Sequence, residues 1–128
     1  MRLLLDTHAL IWWLAGDERL SLRAREAMSD EVNPIFVSAA SAMEVATKFR
    51  IGKLPDAALL AEDFEAIIAG QGFSELSISV RHARLAGEMG IAHKDPFDRL
   101  LIAQALAEDM VLVSNEARFD ESAVKRLW

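Results

Sequence analysis

The chain has no cysteine, which excludes disulfides, thiolate zinc sites and a cysteine nucleophile. It also lacks any long uncharged apolar stretch. The N-terminal Met1–Leu5 run is broken by Asp6 and His8, too early for the core of a signal peptide, so a soluble, cytoplasmic protein is expected. No internal repeat, linker or low-complexity segment is visible. Basic residues are outnumbered, fourteen against twenty acidic ones, for a net charge of −6. Overall charge therefore gives no general adhesion to nucleic acid. A nucleic-acid enzyme remains open, because bound cations offset acids at a site and local Lys and Arg can still meet phosphate.

What the chain does have is 128 residues with 52% hydrophobic content, enough for one domain, residues 1–128, around a single core. Short apolar runs at Leu3–Leu5, Ile35–Val37, Phe73–Ile78 and Met110–Val113 read as buried strands, with Val124–Leu127 a weaker fifth. Helical patterns fill Thr7–Leu14, Ser21–Asp30, Ala39–Ile51, Asp56–Ala69, Val80–Met89 and Pro96–Glu108, and a short last helix is expected after Asn115. Strands alternating with helices and buried on both faces imply a parallel sheet between two helical layers, a three-layer α/β/α domain.

In such open sheets ligands bind beyond the carboxyl ends of the strands, where strand order reverses. Acids fall at these ends: Asp6 closes the first strand, Glu44 lies in the helix after the second, Asp98 opens the helix before the fourth, and Glu116 follows the fourth. The segment from His93 to Ala105 adds Asp95, an N-cap candidate before Pro96 at the first helical position. Each acid also has a purely structural role open to it. Asp6 and Asp95 can cap helices, Glu44 can complete a Ser41-x-x-Glu44 capping box while facing Lys48 one turn on, and Glu116 can be a solvated turn residue.

Gathering these carboxylates needs compensation, since two unit charges about 4 Å apart repel by roughly 4 kcal/mol at an effective dielectric near 20. A divalent cation supplies it. All-oxygen ligation suits Mg²⁺, with Mn²⁺ as a substitute, and such a site hydrolyses phosphodiesters through an activated water. Three weaker groups of residues accompany the acids. Lys48, Arg50 and Lys53 follow Glu44, while Lys94 and Arg99 flank the main motif, as phosphate contacts or a solvated face. His8, His82 and His93 read as polar contacts rather than general bases. The helix after Asp6 is apolar nearly all round, through Leu10, Ile11, Trp12, Trp13 and Leu14. Its tryptophans either fill gaps in the core or meet a partner.

Leu4-Leu5-Asp6-Thr7-His8, Ser41-Ala42-Met43-Glu44-Val45, the His93–Ala105 block and Leu112-Val113-Ser114-Asn115-Glu116-Ala117-Arg118-Phe119 resemble the four motifs of the PIN domain, in order and across nearly the whole chain. The Asp95-Pro96-Phe97-Asp98-Arg99 form and the closing Leu127-Trp128 most resemble VapC-type toxins of prokaryotic toxin–antitoxin pairs. The resemblance implies a Mg²⁺-dependent endoribonuclease with Asp6, Glu44 and Asp98 as metal-site acids and Asp95 as an additional candidate. The family's fourth acid, usually Asp in a Thr-x-Asp setting, falls on Glu116, with Ser114 in place of Thr. The resemblance further implies an antitoxin partner, expected on Trp12 and Trp13, and a homodimer.

Two other functions compete with this reading. A phosphotransfer domain of receiver or dehalogenase type also ends its first strand in Asp, but His8 stands where a dehalogenase needs its second Asp, and a receiver's acidic pair is missing. A metal-free protein-binding module is the other.

Overall fold

The computed structural model describes residues 1–128. Five parallel strands form the sheet: β1 (Leu3–Leu5), β2 (Ile35–Ser38), β3 (Ser74–Leu76), β4 (Val111–Val113) and β5 (Arg126–Leu127), in spatial order β3-β2-β1-β4-β5. β1 is central, with Leu4 opposite Phe36 on one side and Leu112 on the other. The chain fills one half of the sheet through β2 and β3, then crosses β1 to build the other half. Strand order therefore reverses at β1, and the end of β1, just past Leu5, is where a ligand site is expected in such a sheet.

Seven α-helices cover the sheet: α1 (Thr7–Ala15), α2 (Leu22–Ser29), α3 (Ala39–Arg50), α4 (Ala58–Glu62), α5 (Phe64–Gly70), α6 (Val80–Glu88) and α7 (Pro96–Ala107). Side chains of a strand alternate between faces, and β1 uses both. Leu3 and Leu5 enter the larger core with Leu10, Trp12, Met28, Val45, Leu60, Phe64 and Ile68, drawn from the helices of one face. Leu4 enters the smaller core on the other face with Leu101, Ile102, Leu112 and Phe119. This is the expected three-layer arrangement.

Local signals set most boundaries. Ser21 and Ser38 accept from Ala24 N–H and Ala40 N–H at the starts of α2 and α3, and Asp95 accepts from both Phe97 and Asp98 N–H ahead of Pro96 at α7. Gly16 ends α1 at φ 62°, a left-handed conformation that glycine takes without steric cost.

Two expectations need correction. The single helix anticipated over Asp56–Ala69 is a 3₁₀ turn at Pro55–Ala57 followed by α4 and α5, separated at Asp63, whose φ of −145° leaves the helical region. The pattern misled because Leu60, Phe64 and Ile68 keep a four-residue spacing into the core across the break. The short last helix is a 3₁₀ segment, Ala117–Glu121, which buries Phe119.

Candidate active site

Asp6 is the first residue past β1, at the reversal of strand order. Its Oδ1 accepts from Ala9 N–H at 2.8 Å and so caps α1, while its own N–H donates to Val113 on β4. The structural role and the site role therefore coexist. Asp6 is 5% exposed, and burial pushes its carboxyl up to about 6, against the opposing pull of the Ser114 hydroxyl, the Ala9 N–H and the His8 charge; the charge of Asp98 adds to the rise.

Asp98, in the first turn of α7, is half-buried. Burial again leads the causes that raise its carboxyl, followed by the charge of Asp95 and, more weakly, Glu44; the hydrogen bond and charge of His93 oppose them. His93 Nε2 lies 3.0 Å from Asp98 Oδ2, and its ring stacks on Phe119 with centroids 5.3 Å apart and planes 12° from parallel.

Glu44 is buried on α3 and faces the same region. Thr7 Oγ1 donates to its Oε1, and Lys48 Nζ to its Oε2. The Ser41–Glu44 capping box is not formed, because Ser38 caps α3 and Ser41 sits inside it, its Oγ 3.2 Å from Thr7 Oγ1. Lys48 joins the acids electrostatically. Burial depresses its ammonium, but the hydrogen bond to Glu44 and the charges of Glu44, Asp95 and Asp98 outweigh this and leave it raised.

Asp98 is the centre of this group: its charge acts on Asp6 and Lys48, and those of Asp95 and Glu44 act on it. The structure does not draw their side chains into a finished coordination shell, since no three His, Asp or Glu side chains converge tightly enough to enclose an ion. Glu44 is turned to Lys48, and Asp98 to His93. The donor set is nevertheless carboxylate oxygen throughout, and two of its members are held reluctantly charged by burial. Both properties fit a hard divalent cation.

Glu116 stands apart from this group. Its side chain is 45% exposed and pairs with Arg118 Nε at 3.4 Å. The residue after β4 that faces Asp6 is Ser114, fully buried, whose Oγ also accepts from Glu116 N–H. Arg99, expected at phosphate, is also corrected: its guanidinium donates to backbone carbonyls of residues 86–93. Lys94 is exposed, and it lines a cleft with His93, Asp95, Arg118 and Glu121. Trp12 is buried within the chain, 5.8 Å from Trp128 between ring centroids and with the Arg19 guanidinium 5.0 Å over its ring, so it offers no surface to a partner. Trp13 is half-buried and donates its indole N–H to Gln71.

Thr7, Ser114 and Arg118 are site neighbours that the sequence motifs alone do not single out. Thr7 and Ser114 each directly follow a residue or strand already marked, Asp6 and β4, and that adjacency was the available signal.

No curated protein matches the sequence. Among solved structures, VapBC2 from Rickettsia felis bound to a DNA fragment from its promoter aligns over 99% of this chain and 98% of its own, at 15% identity and a TM-score of 0.68. VapBC-1 from nontypeable Haemophilus influenzae aligns over 99% and 97% at 13% identity and a TM-score of 0.66. FitAcB from Neisseria gonorrhoeae aligns over 98% and 96% at 18% identity and a TM-score of 0.64. These likenesses show a shared fold. No helix is long and apolar enough to cross a membrane. The PIN domain family model matches residues 3–125, and PIN domains are as a class nucleases. Across that whole length, with its acids at the mouth of a β1-centred parallel sheet, the chain belongs to the PIN domain family.

Proposed function

We propose that the protein is a Mg²⁺-dependent endoribonuclease and the toxin of a type II toxin–antitoxin pair. The observation that carries the nuclease reading is Asp6, buried at the strand-order reversal with a raised carboxyl and within electrostatic reach of Asp98. Asp6, Asp98 and Glu44 would hold the cation, and Asp95, with one oxygen committed to capping α7, would serve from beside them. A bound Mg²⁺ supplies an activated water and neutralises charge developing on phosphorus and the leaving oxygen.

The chain's own residues do the rest. Ala9 N–H and His93 restrict the carboxylates of Asp6 and Asp98, which would lower the cost of ordering them around a cation. Lys48 balances part of the acidic charge at the site. Lys94 and Arg118, on the cleft beside Asp95, would meet the phosphate backbone.

The toxin reading is supported by the fold shared with VapBC and FitAcB assemblies and by an uncovered apolar groove. Ile11 and Leu14 of α1, Leu59 and Leu60 of α4 and Ile67 of α5 line it, next to the tryptophans but not on them. An antitoxin segment would bury this groove. A homodimer and a cytoplasmic location belong to the same reading.

Cleavage of RNA by purified protein in Mg²⁺, with excess EDTA and folded Asp98→Asn as controls, tests the nuclease. Loss of cleavage in both controls is expected. Undiminished cleavage in either would overturn the metal mechanism.

A further inference from the structure

Arg99 follows Asp98 on α7, yet its head group is spent on backbone. Nε donates to the Ala86 carbonyl at 2.8 Å. One terminal nitrogen donates to His93 at 2.7 Å and Ile91 at 3.3 Å, and the other to Met89 at 2.6 Å and Gly87 at 3.5 Å. A guanidinium has five N–H groups, and here each faces a carbonyl between residues 86 and 93. Three of these contacts are short and two are long.

The five carbonyls share a need. Those of Ala86 and Gly87 lie in the last turn of α6, where no intrahelical partner remains. Those of Met89, Ile91 and His93 lie on the connection to α7, which has no regular structure. Ordering such a segment costs about 1–2 kcal/mol per residue in backbone entropy, and a side chain that satisfies several of its carbonyls at once offsets that cost. Lysine offers three donors on one atom and cannot span the five.

His93 is where this clamp meets the site. Its carbonyl is held by Arg99, its ring face by Phe119, and its Nε2 by Asp98. A carboxylate accepts, so Nε2 carries the proton. Three attachments on three sides leave the ring little freedom, and Asp98 is the residue that profits.

We propose that Arg99 is a positioning residue: by closing the carbonyls of residues 86–93 around its guanidinium, it fixes His93, whose Nε2–H then sets the orientation of the Asp98 carboxylate in the first turn of α7. The consequence for metal affinity rests on the metal-centre reading above; the mechanical coupling of Arg99 to His93 and Asp98 does not. Arg99 touches neither substrate nor ion in this scheme, and acts through His93.

The test uses the full chain carrying Arg99→Lys, Arg99→Met, His93→Phe or the Arg99→Met/His93→Phe pair. His93→Phe keeps a flat ring against Phe119 and removes the donor to Asp98. In metal-free protein, the ¹H–¹⁵N signal of the His93 Nε2–H reads the hydrogen bond directly, and it should broaden or shift in both Arg99 variants. Mn²⁺ binding measured by calorimetry should weaken by about 10–100-fold in Arg99→Met and in His93→Phe, the range typical of residues that orient metal ligands. The double variant should be no weaker than either single one, because the two act along one chain of contacts. An unchanged His93 signal in folded Arg99→Met overturns the proposal, and so do losses that simply add in the double variant. Where an Arg99 variant does not fold, His93→Phe decides: retained Mn²⁺ affinity overturns the proposal, and loss supports it. If wild-type protein binds no Mn²⁺, the metal-centre reading falls, and the His93 signal alone decides the positioning.

Discussion

Ser38 and Gln104, 66 residues apart in sequence, share a buried hydrogen bond that ties the start of α3 to the middle of α7. Ser38 also caps α3 by accepting from Ala40 N–H, and the Gln104 amide nitrogen donates to the Ser77 carbonyl. The helices so joined are those that carry Glu44 and Asp98. The spacing between these two acids therefore depends in part on a buried polar link between their helices.

Gln104→Leu should destabilise the protein by about 1–3 kcal/mol, since it removes the buried acceptor of the Ser38 hydroxyl proton while keeping most of the side-chain volume. Urea unfolding measures this. A loss below about 0.5 kcal/mol, the scale of a neutral surface change, would mean that the Ser38 hydroxyl finds another partner and that the link does not set the helix spacing.

Asp6 gives a pH dependence whose sign follows from its environment. Its carboxyl stands near 3.8 when exposed and about 6 in the fold, so between those values the native chain keeps a proton that the unfolded chain has released. This group's contribution is favourable below pH 3.8 and is lost as pH rises through 6, a penalty of roughly 3 kcal/mol at neutral pH. Asp6→Asn removes the penalty and retains a good N-cap. Thermal unfolding of metal-free protein should therefore show the variant more stable at pH 7, by several degrees, with the gap closing near pH 4, even though loss of cleavage is expected of it. Equal stability at pH 7 would contradict the raised carboxyl.

The same burial makes added cation most useful where Asp6 is ionised. Mn²⁺ or Mg²⁺ should raise the melting temperature of wild-type protein at pH 7 and much less at pH 5, because a protonated ligand must give up its proton to bind. The rise should vanish in Asp98→Asn. A cation-induced shift that persists in that variant at undiminished size would place the binding elsewhere on the chain.

Glu116 and Ser114 should trade the importance that the motif suggests for them. Glu116→Ala removes a half-exposed side chain paired only with Arg118, and an effect within about 0.5 kcal/mol on stability and less than about threefold on cleavage is expected. Ser114→Ala removes a fully buried hydroxyl that faces Asp6, and should push the Asp6 carboxyl further up. Comparing the pH midpoints of cation stabilisation in the two variants checks this: a shift in Glu116→Ala but not in Ser114→Ala would reverse the assignment.

The layer order, the five strands and the positions of Asp6, Glu44 and Asp98 were legible because they depend on local patterns: apolar runs of strand length, caps, and acids at strand ends. The parts that were not legible depend on contacts between distant segments. Arg99 reads as a phosphate ligand from its place beside Asp98, but its partners are backbone carbonyls, which carry no side-chain signature. Trp12 reads as surplus apolar surface until Trp128, at the far end of the chain, packs against it. Glu116 occupies the right place in the motif, and only the course of the chain after β4 shows that its side chain turns to Arg118.

That correction at Trp12 moves the expected partner surface onto the neighbouring groove. Leu59 is 78% exposed, and with Ile11, Leu14 and Ile67 it forms an apolar strip along α1, α4 and α5. A partner segment with aliphatic side chains at helical spacing would bury this strip, and an Arg beyond it would be drawn to the carboxylates at the site. Binding should then have two separable parts. Ile11→Asp or Leu59→Asp should abolish co-purification with the product of the adjacent gene, because each places a charge in an interface that must be dry. Trp13→Ala should have little effect, since its indole is engaged with Gln71 within the chain. Asp6→Asn should weaken the complex by removing a charge that the inserted Arg would meet, and this loss should shrink in high salt while that of Leu59→Asp should not. Wild-type affinity in Leu59→Asp, or full loss in Trp13→Ala with the fold intact, would return the interface to the tryptophans.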